Sequence, residues 1–410
     1  MRIAVIGGGA AGMATAYLLD KLDHHITVFE RQPILGGHIR TLNKNVKPSQ
    51  FECNEILCNE ILESGPLEFP DAFHNFVALM QELEVELVPV NVGSELFLKD
   101  SSNFLSDVAI EKNFKGIQRL IEYLRFNSLH VRSAGLWLKT RFTDMDDFYD
   151  QSLSRYLKDD STSNLWLKLL TMYSYSIPFK LINDFPAELA IPMLRDYLAV
   201  NWLRVEGGVY TYIEKILKRF KGEVLLDVQI ANISRNPDII SIEQSQGEIQ
   251  EFDKVVFATP PDQVMSLLSD PTDAELRRFS AWQANFVTTT VHTDTSMYDK
   301  YGIRQPSEFD FFQTDTRWGY NGCLNQLCGL PASAEHYFLS FQLEEIIAKD
   351  KIVHIQKHHT PLYTTESFRY RDEIAATNGE NSTYYVGAYL GDGLHEGAIT
   401  SAMKVADMIG

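Results

Sequence analysis

The stretch RIAVIGGGAAG, residues 2–12, decides the fold class of this chain. Its first five residues predict a short buried strand, and residues 10–22 carry apolar side chains at helical spacing. A second strand is predicted over residues 26–30. Together the three elements predict a βαβ unit and therefore an α/β protein built on a Rossmann-type parallel sheet.

The pattern G-x-G-x-x-G lies where the first predicted strand gives way to the helix. Gly7 permits the tight turn, Gly9 leaves room for a pyrophosphate against the backbone, and Gly12 lets helix and strand pack closely. Ala10 and Ala11 lie in the first helical turn, whose free N–H groups and positive dipole end attract phosphate. This loop predicts dinucleotide binding.

A carboxylate and a second glycine loop follow in the order that such a site needs. Glu30 ends the second predicted strand, with Arg31 beside it, 18 residues after Gly12, where a carboxylate accepts hydrogen bonds from ribose hydroxyls. The pair Gly36-Gly37 lets another backbone segment approach the same phosphates, or else is a surface loop with two glycines.

These segments resemble the N-terminus of the flavin-containing amine oxidoreductase superfamily, which includes amine oxidases, protoporphyrinogen oxidase and phytoene desaturases. Later segments resemble further signatures of that superfamily, in the expected order: 62–66, 207–208, 256–261, 385–389 and 395–401. A narrower resemblance, over 37–41, 176–178, 202–208, 292–294 and 387–396, is to a bacterial branch described as predicted NAD/FAD-binding proteins. Members of that branch are often found beside cyclopropane-fatty-acid-synthase-like genes.

The resemblance implies FAD as the cofactor. The implied contacts, beyond the two glycine loops, come from Gly65, Pro66, Val228, Ala258, Gly387, Asp392, Glu396, Gly397 and Ala398. Glu396 and His395 are alternatively expected to cap the closing helix or to hold its loop. His38 stands where amine oxidases commonly have arginine, so the neutralisation of phosphate is expected from Arg40. Tyr389 stands where many members have an acid that binds the ribityl chain, and Asp392 is the nearest substitute. Because no cysteine lies in 387–400, non-covalent FAD is expected.

The order of predicted elements indicates two interleaved domains. An FAD-binding domain is expected over 1–70, 205–270 and 375–410, and an inserted α+β substrate domain over 71–204 and 271–374. Periodic apolar residues predict helices over 72–83, 114–126 and 147–157.

The resemblance favours dehydrogenation of a substrate by hydride transfer to flavin N5, with an apolar, acyl-chain-like or carrier-bound substrate. The alternatives are an amine or amino-acid oxidase, an FAD-dependent isomerase without net redox turnover, and a catalytically silent flavoprotein partner subunit. Tyr389 is a candidate wall of the flavin face or a packing residue. His292, with Asp294 on the same side of a strand, is a candidate acid–base group or a structural histidine.

Composition limits the partners. The chain has 410 residues, 45% of them hydrophobic, and a net charge of −18, which disfavours nucleic acid. No apolar run of about 18 residues predicts a membrane span, and four scattered cysteines predict reduced thiols in a cytoplasmic protein without a metal site.

One stretch departs from this acidity. Residues 111–141 contain seven lysines and arginines against two glutamates, interleaved with apolar residues. The pattern over 112–141 is typical of a solvated helix face over the core, or of a docking surface for an anionic lipid headgroup or an acidic acyl-carrier protein.

Overall fold

The computed structural model describes residues 1–49, 60–143, 145–159, 161–196, 200–236, 239–331 and 335–410. Cys53 and Cys58 lie outside the described residues. The strands, in chain order, are β1 (Arg2–Ile6), β2 (His25–Phe29), β3 (Thr41–Leu42), β4 (Leu62–Glu63), β5 (Phe69–Pro70), β6 (Leu87–Val90), β7 (Ser94–Phe97), β8 (Asn103–Phe104), β9 (Trp202–Val205), β10 (Glu223–Leu225), β11 (Ile230–Asn236), β12 (Ile239–Gln244), β13 (Ile249–Phe252), β14 (Lys254–Phe257), β15 (Ala284–His292), β16 (Phe309–Gln313), β17 (Trp318–Cys323), β18 (Phe338–Phe341), β19 (Ile352–Pro361) and β20 (Thr383–Tyr385).

The α-helices are α1 (Ala10–Lys21), α2 (His74–Glu82), α3 (Asp107–Asn113), α4 (Gly116–Thr140), α5 (Thr162–Tyr175), α6 (Ala187–Asp196), α7 (Thr211–Arg219), α8 (Pro261–Leu267), α9 (Asp273–Ser280), α10 (Leu324–Leu327), α11 (Thr365–Phe368), α12 (Arg371–Ala376) and α13 (His395–Ile409).

A five-stranded parallel sheet organises the first lobe, in the order β10-β2-β1-β14-β20. Its strands come from three separate parts of the chain, and α1 packs against both β2 and the closing helix α13. This sheet confirms the α/β class with a Rossmann-type topology. The domain boundaries themselves stay a prediction.

The turn after β1 shows why the glycines are needed. Gly7 has φ = +108°, a conformation that side chains disfavour. A Cβ on Gly12 would lie 1.9 Å from the carbonyl oxygen of Gly7, so only glycine lets α1 begin this close to the strand.

The second lobe is a seven-stranded mixed sheet covered by helices. Its order is β19-β15-β18-β17-β16-β7-β8, with β7 and β16 parallel and the other neighbours antiparallel. Trp166 of α5 packs edge to face on Phe311 of β16, with ring centroids 5.7 Å apart. The helical layer α4–α6 therefore shares its core with this sheet.

The helix predicted over 147–157 is wrong. The chain instead forms two short 3-10 turns, Met145–Phe148 and Leu153–Arg155. Between them Asp150 has φ = +56° and Ser152 is extended, because the backbone of Leu153 bonds across to Phe185. A tertiary contact has replaced the local helical pattern.

Candidate functional site

A large cavity, lined by described residues, opens at the carboxyl ends of the parallel strands. Its volume is about 1060 Å³, and it is lined by Gly7 after β1, Ala258 after β14 and Gly387 after β20. Ligands of open parallel sheets bind at this edge. The volume reaches the upper end of the roughly 300–1,000 Å³ of small-molecule sites, which leaves room for a cofactor and a second molecule.

The two glycine loops meet at one end of this cavity. The N–H of Gly36 donates to the carbonyl oxygen of Gly8 at 2.8 Å, and a Cβ on Gly37 would lie 2.9 Å from the Cα of Gly9. Gly9, Ala10 and Ala11 all line the cavity at the N-terminus of α1. Bare backbone and a positive helix end therefore form a cradle that suits a diphosphate.

Arg40 lies in the same wall and is 8% exposed. Its guanidinium donates to the carbonyl oxygens of Leu35 and Ile39 at 3.3 and 3.2 Å, and no carboxylate of the described chain forms an ion pair with it. Burial lowers the pKa of Arg40, and nearby Glu30 partly offsets that effect. A buried cation that lacks an anionic partner suits a phosphate ligand.

Glu30 also lines the cavity, with exposed Arg31 next to it. Its two carboxylate oxygens accept the backbone N–H groups of Gly8 and Gln32, each at 2.8 Å. Each oxygen keeps a lone pair for a hydroxyl donor. The N–H of Val228 bonds to the backbone oxygen of Glu30 at 3.0 Å, which holds Val228 in the cavity wall.

Two histidines close the wall next to Gly65 and Pro66. His38 Nε2 donates to the carbonyl oxygen of His359 at 2.8 Å, and His358 Nε2 donates to that of Ser64 at 2.8 Å. Burial lowers the pKa of His38, and it lowers the pKa of His358 to about 3. The ring of His358 is therefore uncharged at neutral pH.

Three predicted cofactor contacts of the closing segment, Asp392, Gly397 and Glu396, lie outside the described cavity wall, and their contact with a cofactor stays a prediction. Asp392 Oδ1 accepts the N–H groups of Leu394 and Gly397 at 2.9 and 2.8 Å, so it caps the start of α13. Burial raises the pKa of Asp392 to about 6. Neither Asp392 nor Gly397 lines the cavity, whereas Gly387 and Ala398 do.

Glu396, at the start of α13, bonds to the backbone of another helix. Its carboxylate accepts the backbone N–H groups of Asn75 and Phe76, each at 2.9 Å, and does not line the cavity. Glu396 thus supplies the cap that the first turn of α2 lacks, and joins α2 to α13.

Replacing Glu396 by alanine should lower the free energy of unfolding by about 1–2 kcal/mol, because two N–H groups of α2 lose their acceptor. FAD affinity should stay within about twofold of wild type. Urea unfolding of the apoprotein and an FAD titration measure the two quantities. A large loss of FAD affinity with unchanged stability would restore Glu396 as a cofactor ligand.

Tyr389 lies in the cavity wall and is 2% exposed. Its ring packs edge to face on Trp282, with centroids 5.3 Å apart, and its hydroxyl has no hydrogen-bond partner among the described residues. Its predicted place against the flavin stays a prediction. The hydroxyl is a buried polar group without a hydrogen bond, which costs stability in the apoprotein.

Tyr389→Phe should leave the free energy of unfolding of the apoprotein unchanged or raise it by up to about 1 kcal/mol, since an unpaired hydroxyl is removed. Tyr385→Phe is the matched control, because the Tyr385 hydroxyl donates to Glu275 at 2.8 Å and its loss should destabilise. Thermal unfolding of both apoproteins checks the comparison. Equal destabilisation by the two variants would contradict it.

His292 is not a cavity residue, which corrects its candidate catalytic role. It is fully buried in β15, where Nδ1 accepts the N–H of Asp294 at 3.1 Å and Nε2 contacts Asn321 and Ser340 at 3.0 and 2.8 Å. Because Nδ1 accepts a hydrogen bond, the ring is neutral, and burial lowers its pKa to about 4. Both nitrogens are engaged in holding the sheet.

The structure places a buried carboxyl in the cavity wall that the sequence interpretation missed. Glu68 Oε1 accepts the hydroxyl of Tyr173 at 2.5 Å, and Oε2 is buried without a hydrogen-bond partner in the described chain. Burial raises the pKa of Glu68 to about 7. Tyr173 stacks on Phe309 with centroids 4.2 Å apart, which fixes the pair. No local motif marks either residue, because they are 105 positions apart.

Around this pair the cavity wall is apolar and aromatic. Its members include Leu67, Phe69, Tyr175, Met193, Trp202, Val287, Tyr320 and Tyr363. Such a surface binds an apolar molecule and excludes water from it. The cavity therefore has an end that suits a phosphate group and an apolar part that contains the carboxyl of Glu68.

Comparison with known proteins decides the family. The model of the flavin containing amine oxidoreductase family matches residues 10–293, more than half of the chain. The chain belongs to that family. A flavin is accordingly the cofactor that the family implies, and the cradle, unpaired Arg40 and the cavity volume fit a flavin dinucleotide.

Relatives of this flavin amine oxidoreductase family member are distant. It is 21% identical over 314 residues to a 4,4'-diapophytoene desaturase (4,4'-diaponeurosporene-forming) of Staphylococcus aureus. The match covers 66% of this chain and 57% of the length of that relative. A solved CLA-producing fatty acid isomerase from P. acnes matches 100% of this chain and 99% of its own, with a TM-score of 0.72 and 13% identity. Cyclohexylamine oxidase from Brevibacterium oxydans matches 100% and 98%, with a TM-score of 0.68 and 12% identity. At these identities the structural likeness shows the fold alone.

Proposed function

We propose that this protein binds FAD non-covalently and dehydrogenates an apolar, chain-like substrate. The observation that carries the proposal is the two-ended cavity, which joins a diphosphate cradle to an aromatic wall containing Glu68. A desaturase among the sequence relatives supports the same class of reaction.

The residues that would hold the diphosphate and the ribose of FAD come from the first 66 residues of the chain. Backbone at Gly9 and Gly37 and the guanidinium of Arg40 suit the diphosphate, and Glu30 suits the adenosine ribose. Gly65 and Pro66 approach from the other side of the glycine loop: a Cβ on Gly65 would lie 2.1 Å from the carbonyl oxygen of His38. When bound, FAD supplies an acceptor for a hydride.

Glu68 is placed to handle the proton of such a reaction. Forming a double bond removes a hydride from one carbon and a proton from its neighbour, so a base must take the proton. With a pKa of about 7, Glu68 is partly ionised at neutral pH, and the Tyr173 hydroxyl stabilises the ionised form. The aromatic wall keeps water away from both groups.

Amine oxidation is the second candidate, and Glu68 favours it as well. A carboxylate in an aromatic wall also suits a substrate ammonium group, through charge and cation–π attraction. A cationic substrate would hold Glu68 ionised, whereas an apolar chain would not. The two candidates therefore differ in the charge that the substrate brings to Glu68.

Anaerobic bleaching of the flavin tests the proposal. Purified protein is reconstituted with FAD, and fatty acids, fatty acyl esters and aliphatic amines are added without oxygen. Bleaching by the acyl-chain compounds supports dehydrogenation, and bleaching by amines alone supports the second candidate. Isomerised product without net bleaching would overturn both, and a protein that takes up no FAD would overturn the cofactor assignment.

The mode of FAD attachment has its own test. Denaturation with acid should release all of the yellow colour into the supernatant, because no cysteine lies in 387–400. Colour retained in the pellet would show a covalent link.

A further inference from the structure

Helix α4 presents an apolar stripe to solvent. Ile117, Leu124, Val131 and Leu138 recur every seventh residue and are 76%, 64%, 69% and 63% exposed. At about 1.5 Å per residue, this stripe is about 32 Å long. The opposite face of α4 packs on the protein through residues such as Leu129, which is 1% exposed. The expectation that the apolar residues of this stretch cover the core is therefore wrong for the stripe.

Further apolar side chains in and near α4 are also exposed. They are Val108, Leu120, Ile121, Trp137 and Phe142. Contiguous exposed apolar surface of this extent marks a site of association in most soluble proteins.

Basic side chains flank the stripe. Lys115, Lys139 and Arg141 are exposed and form no ion pair with any described residue. At the C-terminal end of α4, the guanidinium of Arg141 lies 4.6 Å from the ring centroid of Trp137. Arg119 and Arg125, in contrast, pair with glutamates of the same stretch, at 2.8 and 2.9 Å.

We propose that α4 docks this protein on the surface of an anionic lipid bilayer. The apolar stripe would lie among the acyl chains, and the three unpaired cations would lie at the phosphate level. A second copy of the chain is a poorer occupant, since each copy carries a net charge of −18 and the same cations would face each other. None of the described helices has the length and apolarity needed to cross a bilayer, so the association would be peripheral.

The docked helix belongs to the lobe that closes the cavity. It packs on α5 and α6, and these helices carry Tyr173, Tyr175 and Met193 of the cavity wall. Docking would thus bring the apolar end of the cavity close to a lipid phase. The proposal itself rests on the surface of α4 and does not depend on the reaction.

Vesicle sedimentation of the full-length holoprotein tests the proposal. We expect binding to vesicles of phosphatidylglycerol and phosphatidylcholine in equal parts, and weak binding to phosphatidylcholine alone. The double variant Lys139→Glu/Arg141→Glu should weaken binding about tenfold or more, since each cation near an anionic surface contributes about 1 kcal/mol. Leu124→Ser/Val131→Ser should weaken vesicle binding to a similar degree, because less apolar surface would enter the bilayer. Both double variants should keep wild-type thermal stability, because the altered side chains are exposed.

Matched control variants make the same kinds of substitution at exposed positions outside α4. Lys349→Glu/Lys351→Glu alters two exposed lysines far along the chain, and Ile249→Ser removes a side chain that is 62% exposed. Neither should change vesicle binding. Equal binding by the α4 variants and the controls would overturn the proposal. Absence of binding to both kinds of vesicle would also overturn the proposal, including the case in which the protein forms a dimer through α4 or binds an acidic carrier protein.

Discussion

Replacing Gly9 by alanine should yield a folded protein that loses FAD during purification. The added Cβ would lie 3.6 Å from the Cα of Gly37, an ordinary contact, and φ at this position is −79°, so the backbone tolerates the change. The methyl group would, however, occupy the cradle where the diphosphate must approach the backbone. We expect FAD affinity to fall on the order of 100-fold, which fluorescence titration of the apoprotein measures.

Gly135→Ala is the control for this variant, because a Cβ on Gly135 in α4 meets nothing within 4 Å. It should bind FAD as the wild type does. The thermal stabilities of the Gly9→Ala and wild-type apoproteins should agree, which separates lost binding from lost folding. Undiminished FAD affinity in Gly9→Ala would contradict the placement of the diphosphate in the cradle.

Replacing Glu68 by glutamine should reduce the rate of substrate oxidation about 100- to 1,000-fold while FAD stays bound. Glutamine keeps the size of the side chain and an acceptor for Tyr173, but it takes no proton. Stopped-flow measurement of flavin bleaching, with the substrate found in the screen, gives the rate. Glu84→Gln changes a surface glutamate and should have no effect.

The pH dependence tests the role of Glu68 separately from its contribution to structure. If ionised Glu68 is the base, wild-type activity should rise with pH through about 7, where its pKa lies, and the Gln variant should lack that rise. Tyr173→Phe removes a hydrogen bond that favours the ionised form, so the pKa of Glu68 should increase and the rise should move to higher pH. A pH profile that is identical in all three proteins would exclude Glu68 as the base.

The predicted βαβ unit is confirmed because its information is local. The glycine spacing, the strand pattern and the terminal acid all lie within the first 30 residues. Together they fix a strand, a tight turn and a helix without contacts from other parts of the chain. The partners of other side chains could not be predicted, because folding brings those partners from distant parts of the chain. Glu396 caps α2, more than 300 positions away, and His292 satisfies Asn321 and Ser340 of neighbouring strands.

The exposed side of the basic stretch 112–141 could not be predicted from the sequence either. Periodicity shows that a helix over this stretch has apolar positions, but it does not show which of them face the core. In α4, Leu129 is buried and Val131 is exposed, because the helix lies on α5 and α6 along one side only. The direction of the apolar stripe therefore depends on packing partners that are distant in sequence.

The sequence by itself determined the α/β class, the dinucleotide loop and the flavin family, since these depend on short-range backbone geometry and on the order of motifs. Only the tertiary structure decided that Glu68 meets Tyr173 in an apolar cavity wall, that Asp392 and Glu396 cap helices, and that the stripe of α4 faces solvent. The physical reason is that proton affinity and exposure depend on the surroundings of a group, and folding brings those surroundings from distant parts of the chain.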